Sequence, residues 1–361
     1  MKKIRILHFG SYWMGNNDIV YLMQRSLSRL PNVEVFPFDC RLYDRRSSPF
    51  VKREGNVNWL NDSVVRRLVD EYRPDLLVCN AGGLTPSANM HDILRARGIH
   101  RAGFALSDPD DFQTRSRRFA QYFSSFFTNA VLTLNEYAKI GVHAQLLPFA
   151  ADPTFHRPLN TVKKYDVVIV GGMRADRARL VARLREESLN VGCFGQGWAS
   201  ERGGIKRKGP RLLASRFDRS FKRINALLMY FGLSKISVGP SSEVHGDAHV
   251  HAINSGTTYI SFAKTGAGFT NVKVGLFEAA ACGACILVDD FEEIARYFEP
   301  DKEILTFISE DDAVERAKKW SRDSKGARKI GAAARRRVIA EHTWEHRWKY
   351  VLDVIASRTE I

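Results

Sequence analysis

The sequence contains no long hydrophobic run. None of its windows approaches the roughly 18 consecutive apolar residues that a membrane-spanning helix needs. The first residues, MKKIRILHFGSYW, begin with basic residues but lack the longer apolar core and the small-residue cleavage site of a secretory signal, so we expect a first β-strand there. The chain also lacks internal repeats and low-complexity tracts. These absences predict a globular, cytoplasmic protein.

Cysteine is scarce, and its placement excludes a disulfide framework. The five cysteines are an odd, scattered set on strand-like and helix-like segments, which is typical of reduced thiols. Cys282 and Cys285 form one CxxC pair, but no second pair or nearby histidine completes a zinc site. We therefore interpret these two residues as small residues that pack a helix.

Acidic residues are outnumbered by basic ones. The chain has 55 Lys and Arg against 40 Asp and Glu, a net charge of +15, so an anionic membrane surface, nucleic acid or a phosphorylated acceptor are candidate partners. A basic stretch at 202–223 lies in a segment with apolar residues at helical spacing. Such a segment suits a membrane surface, an acceptor or DNA, or a domain helix that buries its apolar side.

Apolar strand-like runs alternate with helix-like runs. KIRILHFG, VEVFPFD, DLLVCNAG, RAGFALSD and AVLTLN are separated by amphipathic segments, and the pattern restarts at YDVVIVGG. Continuous apolar strands interleaved with helices indicate parallel sheets that are buried on both faces. The run LLPFAADPTFHRPLN (146–160) has three prolines and no periodicity, so we interpret it as a linker. The 361 residues suffice for about two α/β domains, which implies a cleft between them.

Two segments of the second half combine charge with a predicted strand end, where ligands bind in such sheets. GGMRADR places Arg174 and Arg177 after a Gly-Gly turn that opens a helix. Free backbone N–H groups and guanidinium groups there suit a diphosphate, although two surface arginines would give the same pattern. Glu278 starts the small-residue run EAAACG beside the strand ILVDD. A carboxylate there suits ligand hydroxyl groups, and a solvated helix-cap acid is the alternative.

Polar loops also follow predicted strands of the first half. The loop SDPDD carries Asp108 and Asp110, and one of its carboxylates could position or deprotonate a hydroxyl group. We choose Asp108 as the catalytic candidate, although the same residues also make an ordinary turn. In the first loop, Gly10, Ser11 and Asn16 could contact acceptor or donor, or form a turn without a ligand.

Several of these segments together resemble a known enzyme family. FALSDPDDF, LLPFAADPTFHRP, YDVVIVGGMRADR, FEAAACGACILVDD and the closing RRRVIAEHTWEHR are similar to segments of GT-B glycosyltransferases, and among them of the CgeB-like (spore maturation protein) group of group 1 enzymes. The resemblance implies two Rossmann-like domains whose parallel sheets face a central cleft. It implies an acceptor-side domain at 1–150, a nucleotide-sugar donor domain at 160–340, and a C-terminal helix at 341–361 that packs back on the first domain.

The resemblance also implies an activity and residue roles. The expected reaction moves a sugar, expected to be a hexose, from a UDP-, GDP- or dTDP-linked donor to an acceptor hydroxyl with retention of configuration. Glu278 would bind the donor ribose. Arg174, Arg177 and Lys273 would bind the diphosphate, with Gly10 and Gly172 as further donor contacts. Ser11, Asn16 and Asp110 would face the acceptor. The nucleotide sugar is the expected co-substrate, and the acceptor would be a glycolipid, a polysaccharide or another polyanion, with the enzyme peripheral on a membrane.

The chain departs from the family pattern at two positions. Many group 1 enzymes have a second Glu eight residues before the ribose-binding one, where this chain has Thr270, and CgeB-like proteins often have Arg where this chain has Gly275. A His-rich segment, HGDAHVH, would place His249 and His251 on one face of a strand, where they could bind a metal. A phosphate-binding or an exposed loop fits as well, and because enzymes of this fold seldom need a metal we predict none.

Two other functions fit parts of the pattern. A sugar-nucleotide epimerase on the same fold would consume donor without an acceptor. A non-catalytic protein that binds nucleic acid or another polyanion would use the net charge of +15 and show steep salt dependence.

Overall fold

The structure is a computed structural model that describes residues 3–10, 12, 19–40, 49, 51–55, 57–80, 84–198 and 244–358. The basic stretch 202–223 therefore lies outside the described residues, as do Ser11 and Asn16. None of the helices in the described ranges combines the length and apolar character needed to span a bilayer.

The first half of the chain forms one large and one small sheet. Its strands are β1 (Ile4–Gly10), β2 (Val33–Asp39), β3 (Val51–Glu54), β4 (Val57–Leu60), β5 (Leu76–Asn80), β6 (Leu84–Pro86), β7 (His100–Ala105), β8 (Ser125–Thr128) and β9 (Ala144–Leu146). Its helices are α1 (Ile19–Leu27), α2 (Asp62–Tyr72), α3 (Ala88–Ala96), α4 (Arg117–Phe119) and α5 (Leu134–Lys139). The large sheet has the order β2-β1-β5-β7-β8-β9 and parallel pairing, and β3-β4-β6 form the small one.

Burial explains why the large sheet is parallel. All residues of β5 and β7 are buried, as the continuous apolar runs predicted for strands covered on both faces. One strand differs from the prediction: the run AVLTLN is not a strand, and its residues Val131–Thr133 form a short helical turn. The strand is the preceding β8, Ser125–Thr128, whose side chains are all buried.

The second half forms another parallel sheet. Its strands are β10 (Tyr165–Val170), β11 (Val191–Phe194), β12 (Gly256–Ser261), β13 (Cys285–Asp289) and β14 (Leu305–Phe307), in the order β11-β10-β12-β13-β14. Its helices are α6 (Ala175–Glu186), α7 (Asp247–Asn254), α8 (Val274–Ala281), α9 (Glu310–Arg322), α10 (Ser324–Glu341) and α11 (Trp344–Ala356). Two α/β units with parallel sheets agree with the predicted fold class.

Small residues bring helices α8 and α10 close together. Gly283 follows α8, and a Cβ added to Gly331 of α10 would lie 2.1 Å from the carbonyl oxygen of Gly283. Ala279, Ala280 and Ala281 are fully buried in the same contact region. The EAAACG run therefore shapes the packing around Glu278. Cys282 and Cys285 are buried free thiols beside it.

The segment between the two sheets is held by the end of the chain. Ala151 pairs with Thr343, and the Arg347 guanidinium donates to the carbonyl oxygens of Pro148 (2.9 Å) and Phe149 (3.1 Å). Thr343 caps helix α11, accepting from the backbone N–H of the third helical residue.

Helix α11 packs against α1 of the first half. The indole N–H of Trp348 donates to the carbonyl oxygen of Met23 at 2.8 Å, and its ring lies edge-on to Phe104 at 5.5 Å. The boundaries 1–150, 160–340 and 341–361 stay our proposed division of the chain.

Candidate functional site

A pocket of about 420 Å³ lies at the carboxyl ends of the second sheet. Val170, Phe194 and Ser261, the last residues of β10, β11 and β12, line it, and Ile19 at the start of α1 contributes from the first half of the chain. The pocket therefore lies where a parallel α/β sheet binds its ligands, with the other unit adjacent.

Two glycines allow two backbone segments to approach each other closely at one side of the pocket. Gly195 has a φ of +143°, and a Cβ there would lie 2.3 Å from the carbonyl oxygen of Gly171. That oxygen accepts a hydrogen bond of 2.8 Å from the indole of Trp198. Gly171 in turn leaves room for the guanidinium of Arg177, whose Nη1 would lie 2.8 Å from an added Cβ. Glycine is required here because a side chain would clash where the two loops approach each other.

Helix α6 begins at Ala175, three residues after Gly172, and its first turn reaches the pocket through Arg177. Arg177 lines the pocket, and its Nη1 donates a hydrogen bond of 2.8 Å to the carbonyl oxygen of Gly172. Its guanidinium lies 4.9 Å from the centroid of the Phe262 ring. Its buried Nε has no hydrogen-bond partner among the described residues. Arg174 pairs instead with Asp176 at 3.0 Å. Arg177 is thus the arginine that the structure places in the wall.

Lys273 lines the opposite side, immediately before helix α8. Burial lowers the pKa of its ammonium group, Asp110 of the first half opposes this shift, and the positive charges of Arg177 and Arg174 add to it. The positive charges of these three side chains therefore repel one another electrostatically. A cluster of cations beside a helix N-terminus is an arrangement that stabilises a bound anion.

Glu278 lies inside helix α8, four residues after its start at Val274, and not at the helix start that the sequence suggested. Only 3% of its surface is exposed, although it lines the pocket. Its Oε2 lies 3.2 Å from Nε2 of His249, and its Oε1 lies 3.5 Å from Nε2 of His156. Burial alone would raise the pKa of Glu278, but the two imidazoles lower it by more, so the pKa stays below its usual value. The carboxylate is the charged form.

The two histidines beside Glu278 were not both expected. His249 belongs to helix α7 and not to a strand, so His249 is buried while His251, two residues on, is exposed. The alternative that places both histidines on one face of a strand is therefore wrong, and the alternative of an exposed loop is wrong for His249. His156 lies in the interdomain segment and is fully buried, and burial lowers its pKa. Sequence reasoning missed it because a linker has no periodicity that reports which side chains turn inward.

Asp108 is buried and does not line the pocket. Its Oδ1 accepts from Ser116 at 2.5 Å, and its Oδ2 accepts from Tyr137 at 2.7 Å and from Thr128 at 3.0 Å. Burial raises its pKa, and the three hydroxyl groups oppose that shift. All three donors belong to the first half of the chain, so the contacts fix the loop. The catalytic role of Asp108 stays a prediction.

The loop of Asp108 contacts the second unit. Its carbonyl oxygen accepts a hydrogen bond of 2.9 Å from the side-chain amide of Asn271, two residues before Lys273. Asp110 is exposed in the same loop, and its negative charge raises the pKa of Lys273, which belongs to the second unit. The loop therefore lies beside the cationic side of the pocket, near Lys273.

The remaining predicted positions divide between described and undescribed residues. Gly10 ends β1, and a Cβ there would lie 2.5 Å from Val20. Gly172 is exposed beside the pocket, where its carbonyl oxygen contacts Arg177. At Gly275, an added Cβ would lie 3.2 Å from the hydroxyl of Tyr259, which also lines the pocket. Ser11 and Asn16 lie outside the described residues.

Three solved structures are similar to the whole chain at low sequence identity. Sucrose-phosphate synthase from Thermosynechococcus elongatus is 12% identical with a TM-score of 0.59, over 98% of this chain and 99% of that one. HepE from Anabaena, in complex with UDP-glucose, is 11% identical with a TM-score of 0.58, over 98% and 100%. A glycosyltransferase from Rickettsia africae is 10% identical with a TM-score of 0.57, over 99% of each chain. These similarities confirm the predicted GT-B fold.

No curated protein sequence matches the chain significantly. Residues 174–353 match the family described as "Glycosyl transferase-like", and this segment contains Arg177, Lys273 and Glu278 of the pocket wall. On a two-domain GT-B fold, the second half of the chain is therefore similar to the glycosyl transferase-like family.

Proposed function

We propose that the protein is a nucleotide-sugar-dependent glycosyltransferase whose donor binds in the pocket at the carboxyl ends of the second sheet. The observation that carries this proposal is the chemistry of the pocket wall: a buried, charged Glu278 lies in the same 420 Å³ cavity as the cations Arg177 and Lys273. A carboxylate binds the two hydroxyl groups of a ribose, and cations beside a helix N-terminus bind a diphosphate. A nucleoside diphosphate presents both groups in one molecule.

We assign the nucleotide to the UDP class. The support is the similarity to HepE, whose structure contains UDP-glucose, over 98% of this chain. GDP- and dTDP-sugars have the same diphosphate and ribose or deoxyribose pattern, so the assignment is tested by comparing the three. A dTDP-sugar lacks the 2′-hydroxyl and would lose one of the two contacts to Glu278. We therefore expect it to bind more weakly than a UDP-sugar.

The rate enhancement would come from stabilising the departing diphosphate. Arg177, Lys273 and the N-terminus of α6 form a preorganised cationic wall, which favours the transition state as negative charge develops on the leaving group. Arg174, which pairs with Asp176, would join them when the anion arrives. Gly10 and Gly172 stay proposed donor contacts.

The acceptor would bind from the side of the first unit. We propose that Asp110, exposed opposite Lys273, together with Ser11 and Asn16 faces the acceptor hydroxyl. In a retaining reaction the departing phosphate can take the proton, so no strong protein base is needed. The three hydroxyl groups bound to Asp108 favour a positioning role for it.

Finer assignments are part of the proposal. The closing segment EHTWEHR and the FEAAACG run support membership in the CgeB-like group, with transfer of a hexose, retention of configuration and no metal in the transfer step. The net charge of +15 supports an anionic acceptor or a peripheral position on the cytoplasmic face of a membrane.

The experiment compares thermal stabilisation and sugar release with UDP-, GDP- and dTDP-sugars for the wild type and for Glu278→Gln. Glu315→Gln is the matched control, because Glu315 lies on helix α9 with 72% of its side chain exposed. We expect a UDP-sugar to stabilise the wild type and the control, and Glu278→Gln to lose at least tenfold in affinity. No stabilisation by any nucleotide sugar, or an equal response of Glu278→Gln, overturns the donor site. Donor conversion without acceptor by NMR would indicate an epimerase instead.

A further inference from the structure

Three potential metal ligands converge at the inner end of the pocket. They come from different parts of the chain: His156 from the interdomain segment, His249 from helix α7 and Glu278 from helix α8. One nitrogen or oxygen atom of each residue lies within 4.8 Å of those of the other two, and all three residues are buried. Because His249 and Glu278 also line the pocket, the group can be reached from the pocket.

The spacing of these atoms suits ligands around a metal better than hydrogen bonds. A hydrogen bond between a charged carboxylate and an imidazole N–H is about 2.7–2.9 Å long. Nε2 of His249 lies 3.2 Å from Oε2 of Glu278, and Nε2 of His156 lies 3.5 Å from Oε1, the other oxygen of the same carboxylate. Two ligands about 2.0–2.1 Å from a tetrahedral zinc ion are separated by about 3.3–3.4 Å. The observed pair of distances brackets that separation.

His156 supplies an independent observation. Its side chain has no exposed surface, and neither of its ring nitrogens has a hydrogen-bond partner in the part of the chain that the structure describes. An unpartnered polar group in a protein interior destabilises the folded state. Nε2 of this ring is the atom that lies 3.5 Å from the Glu278 carboxylate. A cation held between His156, His249 and Glu278 would give that nitrogen a partner.

We propose that His156, His249 and Glu278 bind a divalent transition-metal ion of the zinc class, with an open coordination position that faces the pocket. Two imidazoles and one carboxylate are a ligand set of zinc sites that leave a fourth position open. Glu278 is also the carboxylate that we assign to the donor ribose. The metal ion and the nucleotide sugar therefore compete for it, and the ion inhibits transfer. The competition rests on the proposed function, whereas the metal site itself does not.

The experiment titrates the full-length, metal-stripped protein with Co²⁺ and follows the visible absorption of the bound ion, which reports a tetrahedral site. The variants are His156→Gln and His249→Gln, each checked by circular dichroism for retained structure. The matched control is His251→Gln, since His251 is exposed on the same helix as His249. A second measurement follows the melting temperature of each protein with and without Zn²⁺, because an ion that binds only the folded state raises it.

We expect one Co²⁺ per chain in the wild type and in His251→Gln, and loss of the absorption band in both ligand variants. If the wild type shows neither the Co²⁺ absorption band nor a higher melting temperature with Zn²⁺, the metal site is overturned. The site is also overturned if the folded variants His156→Gln and His249→Gln both keep the band unchanged. UDP added to the Co²⁺-loaded protein should weaken the band. If UDP binds and leaves the band intact, the competition is wrong while the metal site stands. If Co²⁺ binds and no nucleotide does, the proposed function fails and the metal site stands.

Discussion

His342 makes the stability of the protein sensitive to acid. Its Nδ1 accepts a hydrogen bond of 3.1 Å from the guanidinium of Arg347, and its Nε2 donates to the carbonyl oxygen of Tyr297 at 3.2 Å. Arginine can only donate and a carbonyl can only accept, so this tautomer is the neutral one. Burial, and then the charge of Arg347, lower the pKa of His342 to about 4. A proton on Nδ1 would remove the bond from Arg347 and place two cations together.

The magnitude follows from the two pKa values. Since the unfolded state, with a pKa near 6.5, binds the proton more readily than the folded state, the contribution of His342 is complete above pH 6.5 and is lost as the pH falls toward 4. At pH 5 His342 lowers the free energy of unfolding by about 2 kcal/mol relative to pH 7, since each pH unit below 6.5 is worth about 1.4 kcal/mol. His8, His91 and His100 have lowered pKa values too and add to the acid sensitivity of the wild type.

The variant His342→Gln isolates one histidine from the others. An amide can accept from Arg347 and donate to Tyr297 without titrating, so the other histidines cancel when the two proteins are compared. Urea unfolding followed by tryptophan fluorescence at pH 7 and at pH 5 measures the effect. We expect the wild type to lose about 2 kcal/mol more than the variant between these pH values. An equal loss in both proteins would refute the reasoning about His342.

Three substitutions test other contacts. Gly195→Ala places a methyl group 2.3 Å from the carbonyl oxygen of Gly171, so we expect a lower melting temperature and at least tenfold weaker UDP-sugar binding; unchanged binding would contradict the close approach. Asp108→Asn should cost about 1–3 kcal/mol in urea unfolding and leave the donor KM unchanged, whereas a loss of kcat at unchanged stability would support a catalytic role. Asp152→Asn weakens the bidentate pair with Arg29 (3.0 and 3.1 Å) and should cost about 1.5–3 kcal/mol; a cost near zero in urea unfolding would show that the pair is dispensable.

The fold could be predicted because its strands have an unusual composition. Strands β5, β10 and β13 are mainly apolar along their length, which is typical of a sheet covered on both faces. The error at AVLTLN has a physical reason. That run and the true strand SFFT are both apolar and adjacent, and periodicity alone does not distinguish a short buried strand from a buried helical turn. The strands at 51–60 were not predicted, since VKRE and VNWL have only four residues each, too few for a periodic pattern to show.

The site was predictable only in part, because its residues are distant in sequence. Arg177 and Glu278 each follow a strand of the second sheet, and parallel strands place their carboxyl ends at one edge. His156 reaches Glu278 because the interdomain segment turns inward, and its position depends on tertiary packing that no local pattern encodes. Asp108 was chosen for its place at a strand end, and no sequence pattern reveals that three hydroxyl groups already surround its carboxylate.

Helix α11 has a consequence for the order in which the protein assembles during synthesis. Trp348 packs beside Phe104 and His8 and bonds to Met23, which lies 325 residues earlier in the chain. The ribosome therefore releases the first sheet long before the indole that completes its hydrophobic core exists. Until helix α11 is synthesised, the apolar side chains that Trp348 covers in the first half lack this cover, and exposed apolar surface of this kind is prone to aggregation.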